Sequence, residues 1–99
     1  MAVKSLYGTV SSEGTIISGT GYTVQRVSKG TYSINFIENF SEVPAIVGSQ
    51  TGFGNGQKPE DVVDFPYLDH ESATAITGNT SDDHSDRQFS FIVMGQCND

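Results

Sequence analysis

Tryptophan is absent from this sequence of 99 residues, cysteine occurs once and proline three times. Cys97 has no second thiol to pair with, so neither an internal disulfide nor a cysteine-based metal cluster can form. Basic residues are also scarce, 5 Lys and Arg against 12 Asp and Glu, for a formal net charge of −7. Phosphate backbones and anionic lipid surfaces are repelled by such a chain, which argues against nucleic acid as a partner. The charge is lopsided. Lys4, Arg26 and Lys29 balance Glu13, Glu38 and Glu42 in the first half, whereas Lys58 and Arg87 face nine carboxylates between Glu60 and Asp99. No apolar run approaches the roughly 20 residues of a membrane helix, so no membrane insertion is expected. A basic n-region followed by an apolar core is missing at the N-terminus, and the chain reads as soluble.

What is present is short, alternating and rich in turn formers. Eleven glycines and abundant Ser, Thr and Asn beside an apolar fraction of 35% describe many short strands in a single domain, residues 1–99. Period two places successive side chains on opposite faces of a strand. Tyr22, Val24 and Arg26 thus oppose Thr23, Gln25 and Val27. After a Ser28-Lys29-Gly30 turn, Tyr32, Ile34 and Phe36 oppose Thr31, Ser33 and Asn35. Leu6–Val10 and Thr15–Ile17 form a hairpin across Ser-Ser-Glu-Gly, and Ala45–Ser49 resumes extended structure after Pro44. Residues 51–60, with three glycines, read as an exposed loop. Pro66 pushes Val62–Leu68 to a sheet edge or a bulge, and Ala73–Thr77 is a further short strand. Gln88–Met94 stands apart, because Phe89, Phe91 and Val93 share one face while Ile92 and Met94 occupy the other. Both faces look covered, and a thin-cored domain covers a second apolar face most economically with another copy of itself. Phe91, Ile92 and Met94 are therefore the candidate oligomer contacts.

The run GTVSSEGTIISGTGYTVQRVSKGTYSINFIENFSEVPAIVGS, with the later DRQFSFIVMGQ, resembles a domain at the C-termini of bacterial and phage tail-fibre-like and collagen-like proteins. Gly30, Tyr32, Ile34, Phe36, Phe40, Pro44, Phe89, Phe91 and Gly95 carry the resemblance. In outline it is also similar to the H-type lectin fold, although Phe91 stands near the place where those lectins usually carry Trp. The resemblance covers roughly three quarters of the chain, mostly at structural positions. It implies an all-β, jelly-roll-like antiparallel β-sandwich of about six to eight strands, a homotrimer, and a glycan or cell-surface receptor as ligand. A virion or extracellular setting follows if the chain derives from a fibre.

Candidate ligand residues cluster where acids meet aromatics or histidines. Asp82, Asp83, His84 and Asp86 offer hard oxygens and an imidazole, but the spacing lacks the glycine and distal glutamate of a calcium loop and reads as a solvated acidic turn. No metal or other cofactor is expected. Asp69, His70 and Glu71 form a second cluster in which carboxylates would favour the imidazolium. Phe53 and Tyr67, beside glycine and proline, are expected to be exposed contact aromatics. No nucleophile elbow or phosphate loop occurs, so binding rather than catalysis is expected. The alternative is a small hydrolase whose site assembles at a subunit boundary.

Overall fold

The computed structural model describes residues 2–52, 62–78 and 83–97. They form eight strands: β1 (Ala2–Val10), β2 (Ile16–Gly19), β3 (Tyr22–Ser28), β4 (Thr31–Phe36), β5 (Ala45–Gln50), β6 (Val63–Leu68), β7 (Ser72–Thr77) and β8 (Phe89–Cys97). Two four-stranded antiparallel sheets result, sheet A in the order β2-β1-β8-β5 and sheet B in the order β3-β4-β7-β6. The all-β expectation is met, and each strand foreseen from alternation is present. Among the described residues no helix is long and apolar enough to cross a membrane.

The two sheets share one core, and alternation decides which side chains enter it. Tyr22, Tyr32, Ile34, Phe36, Ala73, Ala75 and Val63 come from sheet B, while Val10, Phe89, Phe91 and Val93 come from sheet A. Phe40, in the connection after β4, closes one end. Aromatic rings cross the layer boundary. Tyr22 meets Phe91 edge-on with centroids 5.0 Å apart, and Tyr32 lies 5.2 Å from Phe89. Both tyrosines keep their polar ends satisfied, Tyr22 donating to the Ser18 carbonyl at 3.0 Å and Tyr32 to the Ser12 carbonyl at 2.8 Å. Burial pushes both phenols above their ordinary pKa. Gly8 exists to admit one of them, since a methyl group there would stand inside the Tyr22 ring.

Phe91 corrects one expectation. Its side chain is only 2% exposed and sits in the core against Tyr22, so it is not available to a second chain. Ile92 and Met94 do face outward, 51% and 52% exposed, because β8 is central in sheet A and only one of its faces meets sheet B. Within one chain, then, β8 is covered on one face and open on the other.

Candidate functional site

Two outer faces remain once the core is formed, and they differ in chemistry. On sheet B the register aligns Gln25, Ser33, Thr74 and Tyr67 in one row across all four strands. Thr23, Asn35 and Ser72 form the row beside it. These two rows are uncharged and polar, while the next row of the same face, Thr31–Ile76–Asp64, brings an exposed carboxylate and an aliphatic side chain. Among the described residues, the side chains of Thr23, Gln25, Ser33, Asn35 and Thr74 make no hydrogen bond within the fold, which leaves their hydroxyls and amides for solvent or a ligand. Tyr67 is the one aromatic of the face, 53% exposed. The register shift between Asp64 and Tyr67, around Pro66, sets it opposite Thr74.

Asp69 fixes that tyrosine. One carboxylate oxygen accepts the Tyr67 hydroxyl, and the other accepts the backbone N–H groups of Glu71 and Ser72, both at 2.8 Å. The tyrosine hydroxyl, then the Glu71 and Ser72 amides, hold the Asp69 carboxyl below its usual range, and the same bond raises Tyr67. Asp69 is thereby the side chain that shapes the β6–β7 turn as well as an anchor for the ring. His70 in this turn is exposed and accepts the Phe40 amide through its backbone carbonyl at 2.9 Å.

The other acidic cluster lies at the opposite end of sheet B. Asp86 accepts Arg26 Nη2 at 2.9 Å and the Gly30 amide at 2.6 Å, tying residues 83–88 across the β3–β4 turn. Arg26 is the main reason that its carboxyl is held below the ordinary range, with the Gly30 amide assisting. His84 pairs through its backbone with Gly78, and Thr77 donates its hydroxyl to the Ser85 carbonyl. Asp83 and His84 are exposed on this strap. The candidate ligand residues therefore separate into Tyr67, Asp69 and His70 at one end and Asp83, His84 and Asp86 at the other. Phe53 and Asp82 lie outside the described residues. Among the described residues no three His, Cys, Asp or Glu side chains converge as a metal ion requires.

Sheet A presents an apolar face. Tyr7, Ile92 and Val47 form a row across β1, β8 and β5, with Tyr7 63% and Val47 65% exposed, and Met94 stands between Ser5 and Ala45 in the next row. On the other side, Thr9, Ser90 and Ser49 make a low row of hydroxyls. A groove of about 530 Å³ runs here, floored by the Gly8–Phe91–Gly48 backbone. Lys4 is the single charged residue in the four strands, and it lies over the Phe40 ring at 4.5 Å rather than on this face.

Gln25, Ser33, Asn35 and Thr74 were legible as the polar phase of alternating strands but not as one surface. Assembling them requires knowing that β4 lies between β3 and β7, which no local pattern records. No protein-family model, curated protein or solved structure matches this chain.

Proposed function

We propose that this protein is a non-catalytic contact module that holds a neutral, polyhydroxylated ligand on the outer face of sheet B, the chemistry of a glycan or of a glycosylated cell-surface receptor. The observation that carries this reading is the row Gln25–Ser33–Thr74–Tyr67, uncommitted polar side chains ending in an exposed ring. Hydroxyls and amides both donate and accept, as sugar hydroxyls do. An aromatic ring covers the C–H face of a sugar while its polar neighbours take the hydroxyls. The two rows themselves are uncharged, which suits a neutral ligand, and the carboxylates at their margin, Asp64 and Asp69, disfavour an anionic one. The tie from Asp69 holds the ring in place before binding and so lessens the ordering that binding requires.

A module at the end of a fibre-like assembly suits this surface. Eight strands shared between two antiparallel sheets, with the chain crossing between sheets after β2, β4, β5 and β7, supply the two-sheet frame of such a module, and its jelly-roll-like character rests on the resemblance alone. Catalysis has less support. His70 and His84 belong to opposite ends of sheet B, so a single site does not hold both.

The test is binding to an array of neutral oligosaccharides, followed by titration of any that bind. Tyr67→Ala is expected to weaken binding by roughly fivefold, the equivalent of about 1 kcal/mol for a lost ring contact. Thr74→Val, similar in size but without the hydroxyl, is expected to weaken it as well. Silence across the array, or affinity indifferent to Tyr67→Ala, would overturn the assignment.

A further inference from the structure

The outer face of sheet A carries a ridge and a trough side by side. The ridge is the apolar row Tyr7–Ile92–Val47, and the trough is the row Thr9–Ser90–Ser49 next to it, two residues along each strand. Adjacent rows of this kind lie about 6.8 Å apart. From this we infer that sheet A binds a second copy of the same chain face to face. A two-fold axis parallel to the rows and midway between them sets the ridge of each copy over the trough of the other. Such a contact is isologous and closes on itself. It yields a pair, in place of the homotrimer expected from the resemblance.

Three features of the face fit a second copy better than another partner. The first is charge. Two molecules of net charge −7 repel, and this sheet, with only Lys4 turned away over Phe40, lets them meet without opposing carboxylates. A partner held by electrostatic attraction would find nothing here to pair with. The second is hydrogen bonding in the trough. Thr9 and Ser90 share a bond at 2.8 Å, and Ser90 and Thr51 another at 3.0 Å. An apolar ridge can therefore cover Thr9 and Ser90 while each keeps a partner, which leaves the Ser49 hydroxyl, among the described residues, as the one trough group without a bond in the fold. The third is position. Ile92 belongs to β8, paired on both sides by β1 and β5, so its exposed side chain is reached across the face and not through an edge.

Size sets the strength. Four strands about 4.8 Å apart, each presenting about seven residues at about 3.4 Å, give a flat face of roughly 450 Å². That is below the roughly 800 Å² per partner of a standard interface, so a dissociation constant on the order of 10 µM is expected. The pairing leaves sheet B free in both copies, and it would stand even if sheet B bound no glycan.

Sedimentation equilibrium under reducing conditions, which keep Cys97 from linking copies, reads the mass directly. The wild type is expected to approach twice the 10.6 kDa of one chain at 100 µM protein, on the affinity estimated above. Raising salt from about 0.05 to about 0.5 M should tighten the pair, because screening removes net repulsion and there is no interfacial ion pair to weaken. Ile92→Asp should give the monomer mass with an unchanged far-UV spectrum, and Tyr7→Ser should weaken the pair if the aspartate variant fails to fold. Val27→Asp, the same kind of change at an exposed valine of β3, should leave the mass alone. Ser49→Leu separates ridge-in-trough packing from general stickiness, since it fills the trough while making the face more apolar. It should abolish the pair. A wild-type monomer at this concentration, a mass three times that of the chain, or a Ser49→Leu variant that associates more strongly would each overturn the inference.

Discussion

Phe91 and Ile92 are neighbours in the chain with opposite surroundings, one packed on Tyr22 and the other open to solvent. Alternation predicts that they oppose each other, and it holds from Phe89 to Met94, where Phe89, Phe91 and Val93 are buried while Ile92 and Met94 are not. It cannot say which apolar face the fold itself covers, because both phases of the pattern read alike until β8 is seen lying over Tyr22 and Tyr32. The aromatic contact across the layers makes Phe91 costly to truncate. Phe91→Ala is expected to destabilise the protein by about 3–5 kcal/mol, read from the midpoint of a urea transition. Ile92→Ala, with half its side chain already in water, should cost less than about 1 kcal/mol in the same measurement on the monomer. Gly30 is the complementary case at a turn. It sits at a φ of +68° and a methyl there would approach the Thr77 carbonyl to 2.7 Å, so Gly30→Ala should cost about 2 kcal/mol from backbone strain and displaced contacts together.

Among the elements, the strap of residues 83–88 depends on one carboxylate. Asp86 joins it to Arg26 and to the Gly30 amide, and behind that clamp Thr77 donates its amide to the Gly30 carbonyl and exchanges hydrogen bonds with Ser85. A carboxyl whose pKa is lowered on folding stabilises the fold fully above its unfolded value of about 3.9, and that stabilisation is lost as pH falls through the lower folded value. Acidification below about pH 4 is therefore expected to loosen this end first. Hydrogen exchange should show it as faster exchange at the Ser85 and Thr77 amides while Ile34, within β4, stays protected. Asp86→Asn should produce the same local loss at neutral pH. The Ser28-Lys29-Gly30 turn was evident from its residues, as was Thr31–Phe36, whose bounds match β4. The clamp was not, because Asp86 is 56 residues from Gly30 and reads, in isolation, as one more solvated acid. For the same reason the acidic residues around His84 looked like a candidate ligand cluster, whereas one of them holds two strands' connection in place.

For the whole molecule, strand identities were largely written in the local pattern and strand neighbours were not. β1 pairs β8 along nine positions, from Ala2 with Cys97 to Val10 with Phe89, and this pairing supplies the centre of sheet A. The segment Ala2–Ser5 has no alternation of apolar residues to announce it as strand; it is extended because β8 runs beside it. Both outer faces, the polar rows of sheet B and the ridge and trough of sheet A, exist only as products of that order. Net charge acts on the same scale. With the net −7 concentrated in the second half of the chain, screening by added salt should raise the thermal midpoint by a few degrees in a scan at pH 7, the surface pair Arg26–Asp86 being too solvated to reverse the trend.

The pairing of β1 with β8 also governs when these two sheets can close. β1 leaves the ribosome well before β8, and until residue 97 has emerged its apolar side chains and those of β5 lack the strand that belongs between them. Closing so long a loop is slow, so refolding from urea should take milliseconds to seconds rather than microseconds. Nascent chains stalled before Phe89 should be the species that chaperones bind and that aggregates when they do not.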